Sequence, residues 1–257
     1  MMNALPPNNC NILLEAKGLK KSFFFRNSMS TVLEAVDFSI CHGEFVSIIG
    51  ASGCGKSTFL ELLAGITKPD SGRIYLEKAD ITGQTGLLGY MPQDDLLFPW
   101  LNTIQNILIP VKVKNGDIIA ARKKIDELLP VFGLQNHATH YPHQLSGGLK
   151  QRVALLRTYM CNARAILLDE PLASLDSLTR SQLQDWLKEI VELLKLTIIL
   201  VTHDIDEAIV LSDRIELMRG HPGRFGKSID ISSMGKMDIA AKHALKTDIQ
   251  AMFRDNG

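Results

Sequence analysis

Three short, predominantly apolar runs stand out along the chain: EFVSII at 44–49, AILLD at 165–169 and TIILV at 197–201. Runs of this length predict strands buried on both faces. The first feeds a glycine-rich loop, after which KSTFLELLAG has helical spacing, closed by Gly65 and a KPDSG turn. GRIYLE at 72–77 alternates like a strand, and LLGYM at 87–91 is another candidate. From about 94 to 164 the period changes. IAARKKIDELLPVFGL and LKQRVALLRTYMC repeat their apolar positions at helical intervals, which predicts a separate, mostly helical lobe. SLTRSQLQDWLKEIVELL is helical again and lies between the last two apolar runs. Strand, crossover helix, strand indicates parallel pairing and an α/β core. From about residue 230 the pattern is mixed, and a short surface helix is expected there.

Composition narrows the classes. Lys plus Arg and Asp plus Glu each number 28, so the formal net charge is zero. A protein held mainly to nucleic acid phosphates would carry a strongly basic domain, so no nucleic acid partner is expected. No run approaches the roughly 18 apolar residues needed to span a bilayer, so work at a membrane requires a partner. The N-terminal MMNALPPNNCNILL lacks a basic region followed by a long apolar stretch, and no signal peptide is expected. Cys10, Cys41, Cys54 and Cys161 are scattered without metal-ligand spacing, which predicts four reduced thiols in a cytoplasm.

The chemistry concentrates at the ends of the predicted strands. Gly50, Gly55, Lys56 and Ser57 satisfy GxxxxGK[ST] between a strand and a helix. Glycines let backbone N–H groups curl around phosphates, Lys56 would reach the β- and γ-phosphates, and Ser57 would ligate Mg²⁺. The strand ending in Asp169 presents a carboxylate for Mg²⁺, and Glu170 beside it is placed to orient or deprotonate a water. His203 follows the last apolar strand, where a lone histidine serves either packing or a γ-phosphate contact. Gln93, after another short strand, could complete a Mg²⁺ or water shell. In LSGGLKQR, at 145–152, Ser146 is a plausible helix N-cap and two glycines would let a phosphate approach the backbone. A plain loop-to-helix junction is the alternative. Nothing in the spacing brings this helix to the chain's own nucleotide. Cys54, between a helix N-terminus and Lys56, is expected to favour thiolate.

Taken together the motifs resemble the ATPase subunit of ABC transporters, from about Leu14 to Arg224. They comprise a Walker A loop (GASGCGKST), a glutamine loop (MPQDD), a signature (LSGGLKQR), a Walker B strand (AILLDEP), a D-loop (ASLD) and a switch histidine (VTHD). The resemblance implies an α/β, RecA-like P-loop NTPase core with an antiparallel β subdomain and an inserted α-helical subdomain. One ATPase domain would span 14–230, its core at 14–93 and 165–230 and its helical subdomain, with the signature, at 94–164. Residues 231–257 would be a tail.

ATP and Mg²⁺ are the implied cofactors. Gly50, Ala51, Ser52, Gly53, Cys54, Gly55, Lys56, Ser57 and Thr58 would cradle the phosphates, and Phe23 would stack on adenine, with Phe24 and Phe25 as neighbours. Ser57, Gln93 and Asp169 would hold the metal, while Glu170 and His203 would act in hydrolysis. Two ATPase subunits of this family pack head to tail. Ser146, Gly147 and Gly148, with Asp176, would therefore serve the nucleotide of a second subunit. Permease subunits, and through them a solute-binding protein, are the further implied partners, at the cytoplasmic face of the cell membrane. QDDLLFPWLNTIQNI, VTHDIDEAIVLSDRIELM and HPGR at 221–224 resemble the nitrate/sulfonate/taurine importers, with a small anion or organic solute as cargo. An export or lipoprotein-release ATPase shares the nucleotide motifs; the coupling region and HPGR favour import. A soluble non-transport ABC protein would carry two cassettes or a long coiled-coil insertion, and this chain has neither.

Overall fold

The computed structural model describes residues 10–25, 28–235 and 237–254, so the expectation for residues 1–9 lies outside the described residues. Strands β1 (Ile12–Phe25), β2 (Ser28–Cys41) and β3 (Phe45–Gly50) precede helix α1 (Lys56–Leu63). β4 (Ser71–Leu76), β5 (Ala79–Asp80) and β6 (Gly89–Met91) follow, then α2 (Thr103–Ile107), α3 (Ile109–Val113), α4 (Ile118–Val131) and α5 (Gly147–Tyr159). β7 (Ile166–Asp169), α6 (Ser177–Leu194), β8 (Ile198–Thr202) and α7 (Ile205–Leu211) lead to β9 (Arg214–Arg219), β10 (Arg224–Asp230) and α8 (Ile239–Arg254). Two compact units result: residues up to 85 together with those from 196 onward, and residues 86–195.

The first unit holds an antiparallel sheet in the order β2-β1-β4-β5. It also holds a parallel set in which β3 lies between β8 and β9, with β10 antiparallel to β9. Every residue of β3 and β8 is buried, which is why both read as mostly apolar runs without a polar face. Three rings join the layers. Phe59 of α1 lies 5.4 Å from Phe38 of β2 and 5.2 Å from Phe225 of β10, edge to face in both cases.

Charge is buried here as well. Arg214 donates to Glu44 at 2.7 Å, to Glu216 and to the Ser39 carbonyl, and burial pushes the Glu216 carboxyl up against the pull of Arg214. The C-terminal segment is more than a short surface helix. α8 runs for 16 residues and its Ile249 is fully buried among residues of α7 and β9. Cys10 and Cys41 form a disulfide with Cα atoms 5.9 Å apart, because Ile12 pairs with Cys41 and Cys10 stands just ahead of it. The expectation of four reduced thiols is corrected for these two; Cys54 and Cys161 are free.

The second unit contains the parallel pair β6–β7 and the helices α2 to α6. Asn106 of α2 is buried and ties down the preceding loop. Its amide donates to the Phe98 and Leu101 carbonyls and accepts from the Phe98 N–H, while Leu96 and Trp100 remain exposed. Arg152 of α5 stacks 4.5 Å over the Trp186 ring of α6. Among the described residues, no helix is long and apolar enough to cross a membrane.

Candidate nucleotide site

The loop 50–55 turns sharply between β3 and α1. Gly55 caps α1 in the left-handed region (φ 101°), and no side chain caps this helix. A Cβ at Gly50 would lie 2.5 Å from the Met218 carbonyl oxygen, so only glycine fits where the loop leaves β3. The Lys56 ammonium is almost fully buried and donates to the Gly50 and Ala51 carbonyl oxygens at 2.8 and 3.0 Å. A buried cation held by carbonyls alone has no counter-charge in these contacts, and a phosphate is the natural group to supply one.

Cys54 is buried beneath the loop, and burial raises its thiol above the ordinary value while Lys56 opposes the shift. Desolvation thus outweighs the cation, which corrects the expectation of a thiolate. The folded-state pKa is raised, so the reactive anion is scarcer than in a free thiol throughout the neutral range. We expect Cys54 to alkylate more slowly at neutral pH than a model thiol, and more slowly still with ATP present, read by peptide mass spectrometry. Alkylation as fast as a model thiol, or unaffected by ATP, would contradict this placement.

In the same unit His203 is exposed just beyond β8. Its turn is tightly held. The Thr202 hydroxyl donates to the buried Glu207 carboxylate and accepts from the Asp204 N–H at 3.0 Å, while Asp204 caps α7. Thr202 and Glu207 escaped the sequence reading, although THDIDE places a carboxylate one helical turn after the histidine. Phe23 is half-exposed on β1 opposite Ser30, with the Lys21 ammonium 5.1 Å from its ring centre. Phe24 is more exposed, and the Phe25 side chain lies outside what the structure describes.

The second unit brings together the remaining motifs. Asp169, at the end of β7, is buried and accepts from the Tyr90 hydroxyl of β6 at 3.3 Å. Tyr90 is a partner that no motif announced. Glu170 follows in the left-handed region (φ 46°), where a residue with a side chain is uncommon and held only by its surroundings. Gln93 is exposed two residues beyond β6.

Ser146 caps α5, its hydroxyl accepting from the Leu149 N–H at 3.3 Å. Gly147 is exposed and Gly148 buried. A Cβ at Gly147 would meet Leu175 at 2.9 Å, and one at Gly148 would meet Thr179 and Leu183 at 3.2 Å. Close packing, on Leu175 ahead of α6 for Gly147 and on α6 itself for Gly148, is therefore one reason for both glycines. Asp176 caps α6, and its hydrogen bond from Thr179 holds its carboxyl below the usual range.

Comparison with known proteins identifies the family. The family model described as ABC transporter matches residues 33–173, more than half of the chain. The aliphatic sulfonates import ATP-binding protein SsuB of Bacillus licheniformis is 41% identical over 212 residues, 82% of each chain. The formylaminopyrimidine import ATP-binding protein ThiZ of Halalkalibacterium halodurans is 38% identical over 237 residues, covering 90% of this chain and 93% of that one. Among solved structures, a dimeric post-hydrolysis state of the ATP-binding cassette MJ0796 bound to ADP and Pi superposes with a TM-score of 0.73. It is 31% identical and covers 85% of this chain and 99% of its own. The fold is thus the RecA-like P-loop core with antiparallel β and α-helical additions. The chain belongs to the ABC transporter family and is one of its ATPases.

Proposed function

We propose that the chain is the ATP-binding and ATP-hydrolysing subunit of an importer, working as a head-to-tail dimer on the cytoplasmic face of the membrane against permease subunits. The observation that carries the nucleotide reading is the phosphate loop itself: an uncapped helix N-terminus beside a buried Lys56 ammonium held by the Gly50 and Ala51 carbonyls. Backbone N–H groups of residues 50–58 bind the phosphates, Lys56 turns from its carbonyls to the β- and γ-phosphates, and Phe23 stacks on the adenine.

The donors assigned to a metal suit Mg²⁺, since the Ser57 hydroxyl, the Gln93 amide oxygen and the Asp169 carboxylate are all hard oxygens. Bound there, Mg²⁺ supplies charge neutralisation on the β- and γ-phosphates. Glu170 takes a proton from the attacking water, and His203 holds the γ-phosphate as the bond to ADP breaks. The left-handed backbone at Glu170 supports a residue fixed for function rather than for comfort. Ser146 and Gly147 at the start of α5, with Gly148 behind them and Asp176 beside them, complete the nucleotide site of the opposite subunit.

SsuB and ThiZ are named for sulfonates and formylaminopyrimidine, and a small anion or organic solute, delivered by a solute-binding protein, is the cargo class proposed here. The exposed Leu96 and Trp100, on a loop pinned by Asn106, offer the permease a firm apolar contact. Affinity purification of the tagged chain from membranes of its own cells should bring down a permease, and Trp100→Asp should release it without changing ATP affinity. Recovery of the chain free of any membrane protein would contradict the importer reading.

A further inference from the structure

HPGR at 221–224 entered as a mark of importers, yet the structure gives it a physical task next to the phosphate loop. The turn joins β9 to β10 and is stitched to β2: the Gly223 N–H donates to the Val32 carbonyl at 2.8 Å, and the Glu34 N–H donates to the Gly223 carbonyl at 3.3 Å. Arg224 adds an ion pair with Glu34. Behind the turn, Phe225 packs edge to face on Phe59 of α1, so the turn and the loop's helix share one aromatic cluster.

Three glycines mark how closely the backbones approach. A Cβ at Gly223 would lie 2.0 Å from the Cys54 carbonyl oxygen and 3.3 Å from Leu33. One at Gly55 would lie 2.7 Å from the same Leu33 side chain and 3.2 Å from the Val32 carbonyl oxygen. Gly50, as above, abuts the Met218 carbonyl of β9. The loop is thus pressed at its start against β9, at Cys54 against the HPG turn and at Gly55 against β2. Two of these three walls are connected through Gly223. The obstacle at Cys54 is main chain, which cannot rotate aside as a long side chain can. Any side chain at 223 must push the Cys54 carbonyl, and with it the Gly55 N–H of the same peptide unit.

We infer that the HPG turn is a positioning element for the phosphate loop, and that Gly223 sets the loop's shape by having no side chain. The inference rests on the reading of residues 50–58 as the ATP phosphate site. Gly223 touches no nucleotide; it acts through the Cys54 carbonyl.

The test uses the full chain. Gly223→Ala is expected to weaken MgADP binding, measured by calorimetry, by about tenfold or more, since a shift on the order of 1 Å disables a preorganised site. Cys54, released from its buried position, should alkylate faster. Gly226→Ala is the matched control: a Cβ there meets nothing closer than the Leu217 carbonyl oxygen at 3.6 Å, so affinity and alkylation should stay as in the parent chain. Gly223→Ala with parental affinity and parental Cys54 reactivity would overturn the inference.

Should that variant fail to fold, amide exchange in the unmodified chain decides. MgADP should slow exchange in peptides covering 221–224 as well as 50–58, and protection of the loop without the turn would overturn the inference. Lys56→Ala separates the two readings. If it binds MgADP like the parent chain, the phosphate-loop reading fails, whereas its loss of binding leaves Gly223 as the only point in question.

Discussion

Glu170→Gln should stop ATP turnover while leaving ATP bound, so that the variant sediments as a dimer with ATP and Mg²⁺ and as a monomer without. The substitution preserves size and hydrogen-bonding reach but removes the basic oxygen. Loss of a general base costs roughly 10²- to 10⁴-fold in rate. Glu170 directly follows the buried Asp169 at the end of β7, with its backbone in the left-handed region, and the glutamine occupies the same position. An amide therefore sits where the carboxylate did, with the phosphate loop untouched. On the proposed reading, in which ATP is the adhesive between subunits and hydrolysis releases it, blocking only the chemical step accumulates the closed dimer. Phosphate release gives the rate and sedimentation velocity gives the assembly. A variant that stayed monomeric with ATP and Mg²⁺ at high protein concentration would contradict the account.

Ser146→Arg should abolish hydrolysis as completely, for a different reason. Ser146 caps α5, in the unit formed by residues 86–195, whereas the phosphate loop belongs to the other unit. Losing the cap costs about 1 kcal/mol of stability, which a domain of this size tolerates. Arginine also places a long cation at the positive end of α5, in the space where a γ-phosphate would meet Ser146 and the Gly147 N–H. The isolated variant should bind MgADP with parental affinity, because its own phosphate loop is intact, yet show neither turnover nor an ATP-dependent dimer. Leu149→Gln is the counterpart. Leu149 contributes its N–H to the Ser146 hydroxyl, and glutamine keeps that N–H, so turnover should stay within a few-fold. Loss of MgADP affinity in Ser146→Arg would place the signature at the chain's own nucleotide and contradict the division of labour.

The parts of the fold legible in the sequence are those in which one physical cause dominates. β3, β7 and β8 are buried on both faces, so their apolar runs stand out without any tertiary knowledge. α4 and α6 each bury one stripe and show helical periodicity, and α5 is buried on most of its sides. β1 and β2 are the longest strands yet have no clean alternation. Their pairing slips register at four places, and each slip transfers the inward positions to the other set. β9 hides for the opposite reason: its Arg214 and Glu216 read as exposed but are buried against each other and Glu44. α8 reads as a surface helix because only a narrow stripe around Ile249 is buried.

The candidate site divides in the same way. Contiguous motifs such as 50–58 and 169–170 announce themselves, because their chemistry needs neighbours in sequence. What depends on approach across the fold does not. Tyr90 meets Asp169, Gly148 makes room for Leu183, and Gly223 makes room for Cys54, each from a distant part of the chain. Cys54 shows how composition misleads there. Its neighbours Lys56 and a helix N-terminus argue for thiolate, and only its burial reverses the balance.

The central claim is that each nucleotide site is completed by the signature of a second chain, and one mixing experiment tests it directly. Lys56→Ala spoils the phosphate loop and keeps the signature; Ser146→Arg does the reverse. Each variant alone should be inactive. In a mixed head-to-tail dimer one site carries both lesions and the other carries neither. Neither variant pairs with itself in ATP, so an equal mixture should form mixed dimers with one intact site of two and recover up to about half of parental turnover. If the signature served its own chain's nucleotide, every site in the mixture would keep one lesion, and turnover no higher than that of the separate variants would contradict the account.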